Sequence, residues 1–175
     1  RSAGADRLFV ANTRDNRLSV FDTTGGGAPV LLKEIQVGLE PVAVQARPLS
    51  PNEVWVVNHL SDSVSVIDLT NLSDDISVVD VALGVTIRSI PVGDEPADLI
   101  FTIDGAKAYV SSSRDNRIDV VSAATRAIVA SYPVPMEEPR SLAITPNGKF
   151  VTFAVFESGN RTTILDAANA PPSNP

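Results

Sequence analysis

The chain has 175 residues, which suits one ordinary domain, and its 43% hydrophobic and 20% charged residues are typical of a globular protein. It contains no cysteine and a single histidine, His59, which excludes disulfides, iron–sulfur clusters, thiol catalysis, covalent c-type haem and two-imidazole metal sites on this segment. The formal net charge of −7 disfavours nucleic acid, and no apolar run is long enough for a membrane span.

Taken in chain order, short apolar runs recur in pairs joined by polar loops. The pairs are residues 8–12 with 18–22, 54–58 with 64–68, 108–112 with 118–122, and 151–155 with 163–166. The closing residues of the pairs, 22, 68, 122 and 166, lie 46, 54 and 44 residues apart, near the period of propeller blades. The loop Arg-Asp-Asn-Arg at 14–17 returns unchanged at 114–117, and Asp-Asn suits the left-handed conformations of a hairpin turn.

A Glu-Pro pair precedes three of the units and marks the start of a further strand. A proline follows seven residues after two of these pairs, at Pro48 and Pro146, whereas Ile103 takes that place in the middle unit. Each complete unit is therefore predicted to hold four strands, of which the fourth covers residues 30–37, 85–92 or 127–134. The second strand is apolar on both faces, as in a covered sheet with Trp55 in the core, while the alternating third strand is expected to have a wetter face.

These features predict an all-β fold, namely a β-propeller of four-stranded antiparallel blades. About three and a half blades are present, because the first unit lacks its first strand and the fourth lacks its last. Exposed sheet edges are avoided in proteins, so we expect the chain to be part of a larger ring. A four-bladed ring and a ring completed by a second copy are the alternatives. The predicted boundaries are 1–166 for the repeats (partial blade 7–37, blades 41–92 and 96–134, partial blade 139–166) and 167–175 for a Pro-, Ala- and Asn-rich tail.

Two segments carry a family resemblance: Val-Ser-Val-Ile-Asp at 64–68 and Thr-Pro-Asn-Gly-Lys at 145–149. With them the chain resembles the YVTN β-propeller repeat family over nearly its whole length up to Asp166. The resemblance implies a ring of about seven blades. It also implies a prokaryotic, extracytoplasmic protein, whether periplasmic, secreted or on the cell surface. Relatives in this family include binding proteins, lactonase-like enzymes and propeller parts of redox enzymes.

The residue before each Glu-Pro proline is the main site candidate. In propellers this connection lies near the central channel, so the carboxylates can form one ring of negative charge that binds a ligand or a cation. The candidates are Glu40, Glu95 and Glu138, with Asp94 and Asp98 nearby. Hard cations prefer oxygen ligands, which makes Ca²⁺ the ion to test. A cationic ligand or a chain terminus is an alternative, as are glutamates that are merely tolerated in an exposed loop.

An acidic insertion and the single histidine are two further candidate features. An insertion at 71–82 carries Asp74, Asp75 and Asp80 and is a candidate interaction or cation-binding loop, or else a neutral elaboration. His59 lies beside Ser61 and Asp62, but residues so close on a tight hairpin rarely reach the geometry of a catalytic triad. His59 is therefore interpreted as an exposed loop residue.

No complete catalytic set is present, so the sequence favours a non-catalytic binding or scaffold module. Its expected partners are a protein or the remaining blades, with a small ligand at the central channel, and no cofactor is expected on this segment unless Ca²⁺ binds. One alternative is the propeller domain of a larger redox enzyme whose haem or quinone lies elsewhere. The other is a lactonase-like hydrolase that uses acidic residues and His59 at the mouth of the channel.

Overall fold

The computed structural model describes residues 7–50, 52–70 and 85–157, and the regular elements in these ranges are all β-strands. No helix in the described ranges is long and apolar enough to cross a membrane. The strands are β1 (Arg7–Asn12), β2 (Arg17–Asp22), β3 (Val30–Gln36), β4 (Pro41–Ala46), β5 (Glu53–Asn58), β6 (Ser63–Asp68), β7 (Val85–Pro91), β8 (Pro96–Phe101), β9 (Lys107–Ser112), β10 (Arg117–Ser122), β11 (Ala127–Pro133), β12 (Glu137–Ile144) and β13 (Val151–Glu157).

The strands pair with their neighbours in sequence to form antiparallel sheets, which we call blades one to four. Blade one is β1-β2-β3, blade two is β4-β5-β6-β7, blade three is β8-β9-β10-β11, and the described part of blade four is β12-β13. The first strands of blades two, three and four contact each other in order, β4 with β8 and β8 with β12. This confirms the predicted all-β fold and its four-stranded blades. The end of blade four and the predicted tail lie outside the described residues, so the domain boundaries stay a prediction.

The hydrophobic core lies between blades rather than within them. Alternate residues of β5 enter two different clusters, because its side chains point in turn to either face of the sheet. Trp55 and Val57 pack towards blade three, whereas Val54 and Val56 join the cluster shared with blade one. Trp55 is fully buried, as predicted, with its ring edge-on to Phe101 at 5.1 Å between centroids. Truncation of such a side chain to alanine typically costs about 3–5 kcal/mol.

The prediction of a wetter face on the third strand of each blade is wrong. Ser65 on β6 is 2% exposed and Asp119 on β10 is fully buried. Neighbouring blades cover both faces of these strands, and the polar side chains are satisfied internally. Ser65 Oγ accepts a hydrogen bond from Asn58 Nδ2 (2.9 Å), and Asp119 accepts one from Ser131 Oγ (2.6 Å) and pairs with Arg117 (3.1 Å). Buried polar groups persist when they are paired in this way.

Candidate functional site

The three Glu-Pro turns share one backbone conformation. Glu40, Glu95 and Glu138 have φ values of 50°, 51° and 52°, in the left-handed region that ordinary residues seldom adopt. The main-chain N–H of each glutamate donates to a side-chain oxygen in a hairpin loop of the preceding blade. These loops join β1 to β2, β5 to β6 and β9 to β10. These acceptors are Asn16 for Glu40 (2.9 Å), Asp62 for Glu95 (3.1 Å) and Asn116 for Glu138 (2.8 Å). The glutamates therefore occupy a structural turn that joins one blade to the next.

The glutamate side chains are partly engaged by arginines. Arg114 pairs with Asp94 at 3.3 Å and with Glu95 at 3.5 Å, and Arg140 pairs with Glu138 at 2.7 Å. Within residues 7–50, 52–70 and 85–157, no three His, Asp or Glu side chains form a group that could hold a metal ion. The structure thus brings Asp94 and Glu95 together around Arg114 but gathers no larger acidic cluster, and the Ca²⁺ site stays a prediction.

A cavity of about 360 Å³ opens beside these turns, at the amino ends of β4, β8 and β12. Its wall consists of the two residues that follow the proline in blades two, three and four, together with the one histidine. The lining residues of this polar cavity are Val42, Ala43, His59, Ala97, Asp98, Arg140 and Ser141. Of the predicted acidic candidates, Asp98 lies in this wall, whereas Glu40, Glu95, Glu138 and Asp94 do not line it.

His59 is half-buried rather than exposed, because its ring bridges two blades. Its Nδ1 lies 3.0 Å from the carbonyl oxygen of Pro96 at the start of blade three. A carbonyl oxygen only accepts, so Nδ1 donates in this contact and Nε2 is the ring nitrogen left to meet a ligand. Thr13, which occupies the same position in blade one, donates to the carbonyl of Pro41 (3.0 Å). Blades one and two therefore share a bridge from this loop to the next blade, whereas the equivalent Ser113 of blade three donates to the carbonyl of Glu95.

The other polar groups of the wall have mixed roles. Asp98 accepts the main-chain N–H of Leu99 at one oxygen and of Leu142 at the other, both at 2.8 Å, so its carboxylate joins blades three and four. Arg140 pairs with Glu138, and its guanidinium carbon lies 5.5 Å from the ring centre of Phe156. Both contacts leave further N–H donors on the arginine. Arg140 and His59 are therefore the groups in the wall best able to contact a ligand.

The sequence analysis did not predict that Arg140, Ser141 and Val42 line a cavity. The repeat contains a signal for this, because each of them is the first or second residue after a repeated proline. The first and second residues after each proline lie at the cavity, while the glutamate before the proline turns away in its left-handed conformation. The predicted interaction-loop residues Asp74, Asp75 and Asp80 lie outside the described residues.

A family model described as "Lactonase, 7-bladed beta-propeller" matches residues 48–168. The chain belongs to this family. A family of seven-bladed propellers agrees with the fold, in which about three and a half blades form part of a seven-bladed ring. No curated protein matches the sequence.

Three solved structures are similar to this lactonase-family chain. Hydrazine synthase from Kuenenia stuttgartiensis is 28% identical, with a TM-score of 0.74 over 88% of this chain and 40% of that one. A functionally unknown protein from Desulfotomaculum acetoxidans is 14% identical, with a TM-score of 0.71 over 87% and 48%. A candidate 6-phosphogluconolactonase from Bacteroides uniformis is 20% identical, with a TM-score of 0.69 over 86% and 44%. The last two show the fold alone, and this chain spans less than half the length of all three.

Proposed function

We propose that this lactonase-family segment is a non-catalytic binding module whose polar cavity takes a small polar ligand. The observation that carries the proposal is the construction of the cavity wall from the same two positions of three consecutive blades. Ala43 packs against the core and Asp98 joins two blades, whereas Arg140 and Ser141 occupy these same positions of blade four with polar side chains at the cavity. Loops and strand ends on a rigid scaffold are a common place for binding residues.

The chemistry of the wall favours a ligand that offers both hydroxyl and carboxyl oxygens. Arg140 supplies N–H donors, Ser141 an exposed hydroxyl, and His59 an acceptor at Nε2. Since Glu138 partly offsets the charge of Arg140, the wall is not a strongly cationic site. A polyhydroxy acid fits this combination, and the name of the Bacteroides uniformis relative supports testing 6-phosphogluconate.

The contacts of the polar residues support binding rather than catalysis. A general base needs an orienting partner and a nucleophile within reach, as in the Ser-His-Asp arrangement. The partner of His59 Nδ1 is the carbonyl of Pro96 and not a carboxylate. Within the described residues, Ser141 makes no hydrogen bond with His59, and Asp98 is held by main-chain N–H groups.

Calorimetric titration with 6-phosphogluconate tests the proposal. We expect saturable binding that weakens about tenfold in Arg140→Gln and in His59→Ala, as loss of one hydrogen bond to a charged group predicts. Arg14→Gln, an exposed arginine in a loop of blade one, is the matched control and should bind normally. Hydrolysis of 6-phosphogluconolactone should not exceed the rate in buffer, with or without Ca²⁺. Hydrolysis that disappears in His59→Ala would instead establish the lactonase-like alternative, and absence of binding by the wild type would refute the ligand class.

A second candidate is the propeller domain of a larger redox enzyme. It is favoured by the 28% identity to hydrazine synthase over 88% of the chain. In that case haem or quinone chemistry belongs to other segments or subunits, because this segment has no cysteine for covalent haem attachment. The absorption spectrum of the full-length protein purified from its native cells distinguishes the candidates: a haem or quinone band supports the enzyme, and its absence supports the binding module.

The extracytoplasmic location is part of the proposal and rests on the YVTN-type repeat at residues 64–68. Cell fractionation of the full-length protein tests it, and a cytoplasmic pool alone would contradict it. We also keep the proposal of Ca²⁺ at Glu40, Glu95 and Glu138. Elemental analysis of wild type and Glu95→Gln tests that site, and equal metal content in the two proteins would remove it.

A further inference from the structure

A second cavity, of about 350 Å³, lies at the carboxyl ends of β4, β8 and β12, away from the polar cavity at their amino ends. We call it the apolar cavity because most of its lining side chains are hydrocarbon. The lining residues are Gln45, Ala46, Pro48, Ile100, Phe101, Thr102, Ile103 and Ile144. Phe101 is 3% exposed and belongs to the core between blades two and three, so the cavity has a rigid floor.

Apolar side chains stand exposed around this cavity. Leu49 is 88% exposed, Ile103 55% and Phe150 64%. Ile103 lines the cavity, Leu49 directly follows Pro48, and the carbonyl of Phe150 accepts the N–H of Thr145, next to Ile144. Single exposed apolar residues are ordinary, but several at one cavity mark an interaction surface.

The conformation of Leu49 is unusual as well. Its φ is 59°, whereas the corresponding loops of blades three and four place glycines in the left-handed region, Gly105 at 65° and Gly148 at 68°. A bulky residue costs conformational energy there that glycine does not. Leu49 therefore carries a backbone cost and buries almost nothing against the residues that the structure describes.

The charge around the apolar cavity differs from that of the whole chain. Lys107 and Lys149 are exposed. Lys107 begins β9 and Lys149 lies in the turn before β13, and neither makes an ion pair within 4 Å among the described residues. The carbonyl of Lys107 accepts the N–H of the lining residue Thr102, and the N–H of Lys107 donates to the hydroxyl of Thr102. Lys149 follows Gly148, on which a Cβ would lie 3.0 Å from Ile103 Cδ1. Asp104, also at the rim, is occupied by hydrogen bonds from Thr102 and Ala106. Lys107 also attracts Asp104 electrostatically, so the described part of the rim carries two lysines and one aspartate, a net positive charge on a chain of net charge −7.

We propose that the apolar cavity and its rim form a docking surface for a partner protein, and that the occupant is an extended acidic segment carrying an apolar side chain. The apolar side chain fills the cavity against Ile103 and Leu49, and flanking carboxylates meet Lys107 and Lys149. In such interfaces, apolar side chains buried in a pocket supply most of the affinity. Complementary charges at the rim supply specificity. The proposal is independent of the ligand in the polar cavity.

Fluorescence anisotropy of the whole chain with two labelled peptides tests this. The probes are Asp-Leu-Asp-Leu-Asp and Lys-Leu-Lys-Leu-Lys, which share the apolar residues and differ in charge. We expect the acidic peptide to bind and the basic one not to bind. Leu49→Ser should weaken the acidic peptide about tenfold, and the double variant Lys107→Glu, Lys149→Glu should weaken it by a similar factor.

Two controls match these changes. Leu60→Ser removes another exposed leucine, 60% accessible in a loop at the other end of the strands, and Lys33→Glu reverses a charge on β3 of blade one. Both should bind the acidic peptide as wild type does. Equal binding of both peptides, wild-type binding by Leu49→Ser, or no binding of the acidic peptide overturns the proposal. So does self-association of the chain that Leu49→Ser alone abolishes, because the occupant would then be a second copy.

Discussion

Polar residues in left-handed conformations shape the turns of this propeller. Asn16, Asp62 and Asn116 have φ values of 56°, 45° and 50°, and each then offers a side-chain oxygen to the N–H of a glutamate in the next connection. Asn and Asp tolerate this region better than other side chains and bond readily to nearby main chain. One residue per blade thus fixes both its own turn and the start of the following blade.

Substitution of Asn116 separates these two contributions. We expect Asn116→Ala to lower the free energy of unfolding by about 2 kcal/mol, since it loses the hydrogen bond to Glu138 and places alanine at positive φ. Asn116→Gly loses the hydrogen bond alone and should cost about 1 kcal/mol. Urea denaturation measures both, and equal losses would show that the left-handed conformation costs alanine nothing.

Three aspartates have side-chain pKa values that local hydrogen bonds lower. The pKa of Asp68 is lowered from its ordinary value of 3.8, chiefly by the hydroxyl and then by the N–H of Thr70. The pKa of Asp22 is lowered in the same way by the N–H and hydroxyl of Thr24, and that of Asp104 by the hydroxyl of Thr102 and the N–H of Ala106. A lowered pKa in the folded state means that the stabilisation is present above the unfolded pKa and is lost as the pH falls below it.

The expected result is a loss of stability as the pH falls through 3.8 and below. Asp68→Asn should make this decline shallower, because one of the groups that binds protons more weakly in the folded protein is gone. Thermal unfolding followed by circular dichroism across this range measures it. A decline of unchanged steepness in Asp68→Asn would contradict the assignment.

At the scale of elements, ion pairs and close packing hold adjacent blades together. Glu53, at the start of β5, is 12% exposed and accepts the Nε1–H of Trp55 (2.8 Å). It also pairs with Arg47 (3.2 Å) and with Arg126 of blade three (3.4 Å), while Arg47 donates to the carbonyl of Gly105 (2.8 Å). The cluster therefore links blades two and three at the rim of the Trp55 core.

Removal of the Glu53 carboxylate should weaken the contact between blades two and three. We expect Glu53→Ala to lower the free energy of unfolding by about 3 kcal/mol. The indole N–H of Trp55 and two guanidinium groups would lose a shared, largely buried acceptor. Glu34→Ala is the matched control: Glu34 pairs with Arg17 at 3.1 Å but is 39% exposed, so the cost should stay below about 1 kcal/mol. Chemical denaturation of both variants measures the loss of unfolding free energy in each. Equal losses would contradict the role of burial.

The turn before the Glu-Pro pair requires glycine for space rather than for conformation. A Cβ built on Gly93 would lie 2.6 Å from Ser112 Cβ and 2.8 Å from Arg117 Nε, and one on Gly38 would meet Asn58 and Ser61 in the same way. Both glycines lie over the polar end of a second strand, where the connection crosses closely.

We expect Gly93→Ala to destabilise the chain by about 1–3 kcal/mol through overpacking. Gly25→Ala provides the comparison, since nothing lies within 4 Å of the added methyl group and its effect should be within about 0.5 kcal/mol of zero. Melting temperatures of the two variants test this. A harmless Gly93→Ala would mean that the backbone there shifts freely.

At the scale of the whole molecule, the blades form part of a seven-bladed ring. Among the described strands, β1 is the edge of blade one. It corresponds to the second strands β5 and β9 of blades two and three, which pair there with β4 and β8. On this strand Leu8 is 40% and Val10 41% exposed. An unpaired edge with apolar residues is prone to pair with another chain.

The isolated chain should therefore associate with itself in a concentration-dependent way in sedimentation velocity. Leu8→Lys with Val10→Lys should reduce this association, because edge lysines discourage strand pairing. Leu49→Ser, at the apolar cavity, should leave it unchanged. A compact monomer at all concentrations would contradict the expectation that further blades cover this edge.

The strands were predictable because their signals are local, whereas the cavity walls were not. β-Branched runs and turn residues identify the second and third strands directly. The direction of a side chain at the Glu-Pro turn depends on a left-handed φ that the loop of another blade holds through Asn16, Asp62 or Asn116. The residues after the proline therefore line the cavity, and of the predicted acidic candidates Asp98 is the one in its wall.

The sequence by itself determined the repeat, the four-stranded blades, the partial ring and the absence of cysteine chemistry, because each depends on the order and type of neighbouring residues. Only the tertiary structure decided which side chains meet across blades: the burial of Asp119, the bridge from His59 to Pro96, and the two cavities at opposite ends of the first strands. The physical reason is that a propeller builds its core and its cavities between sheets, where the contacting residues are tens of positions apart in the chain.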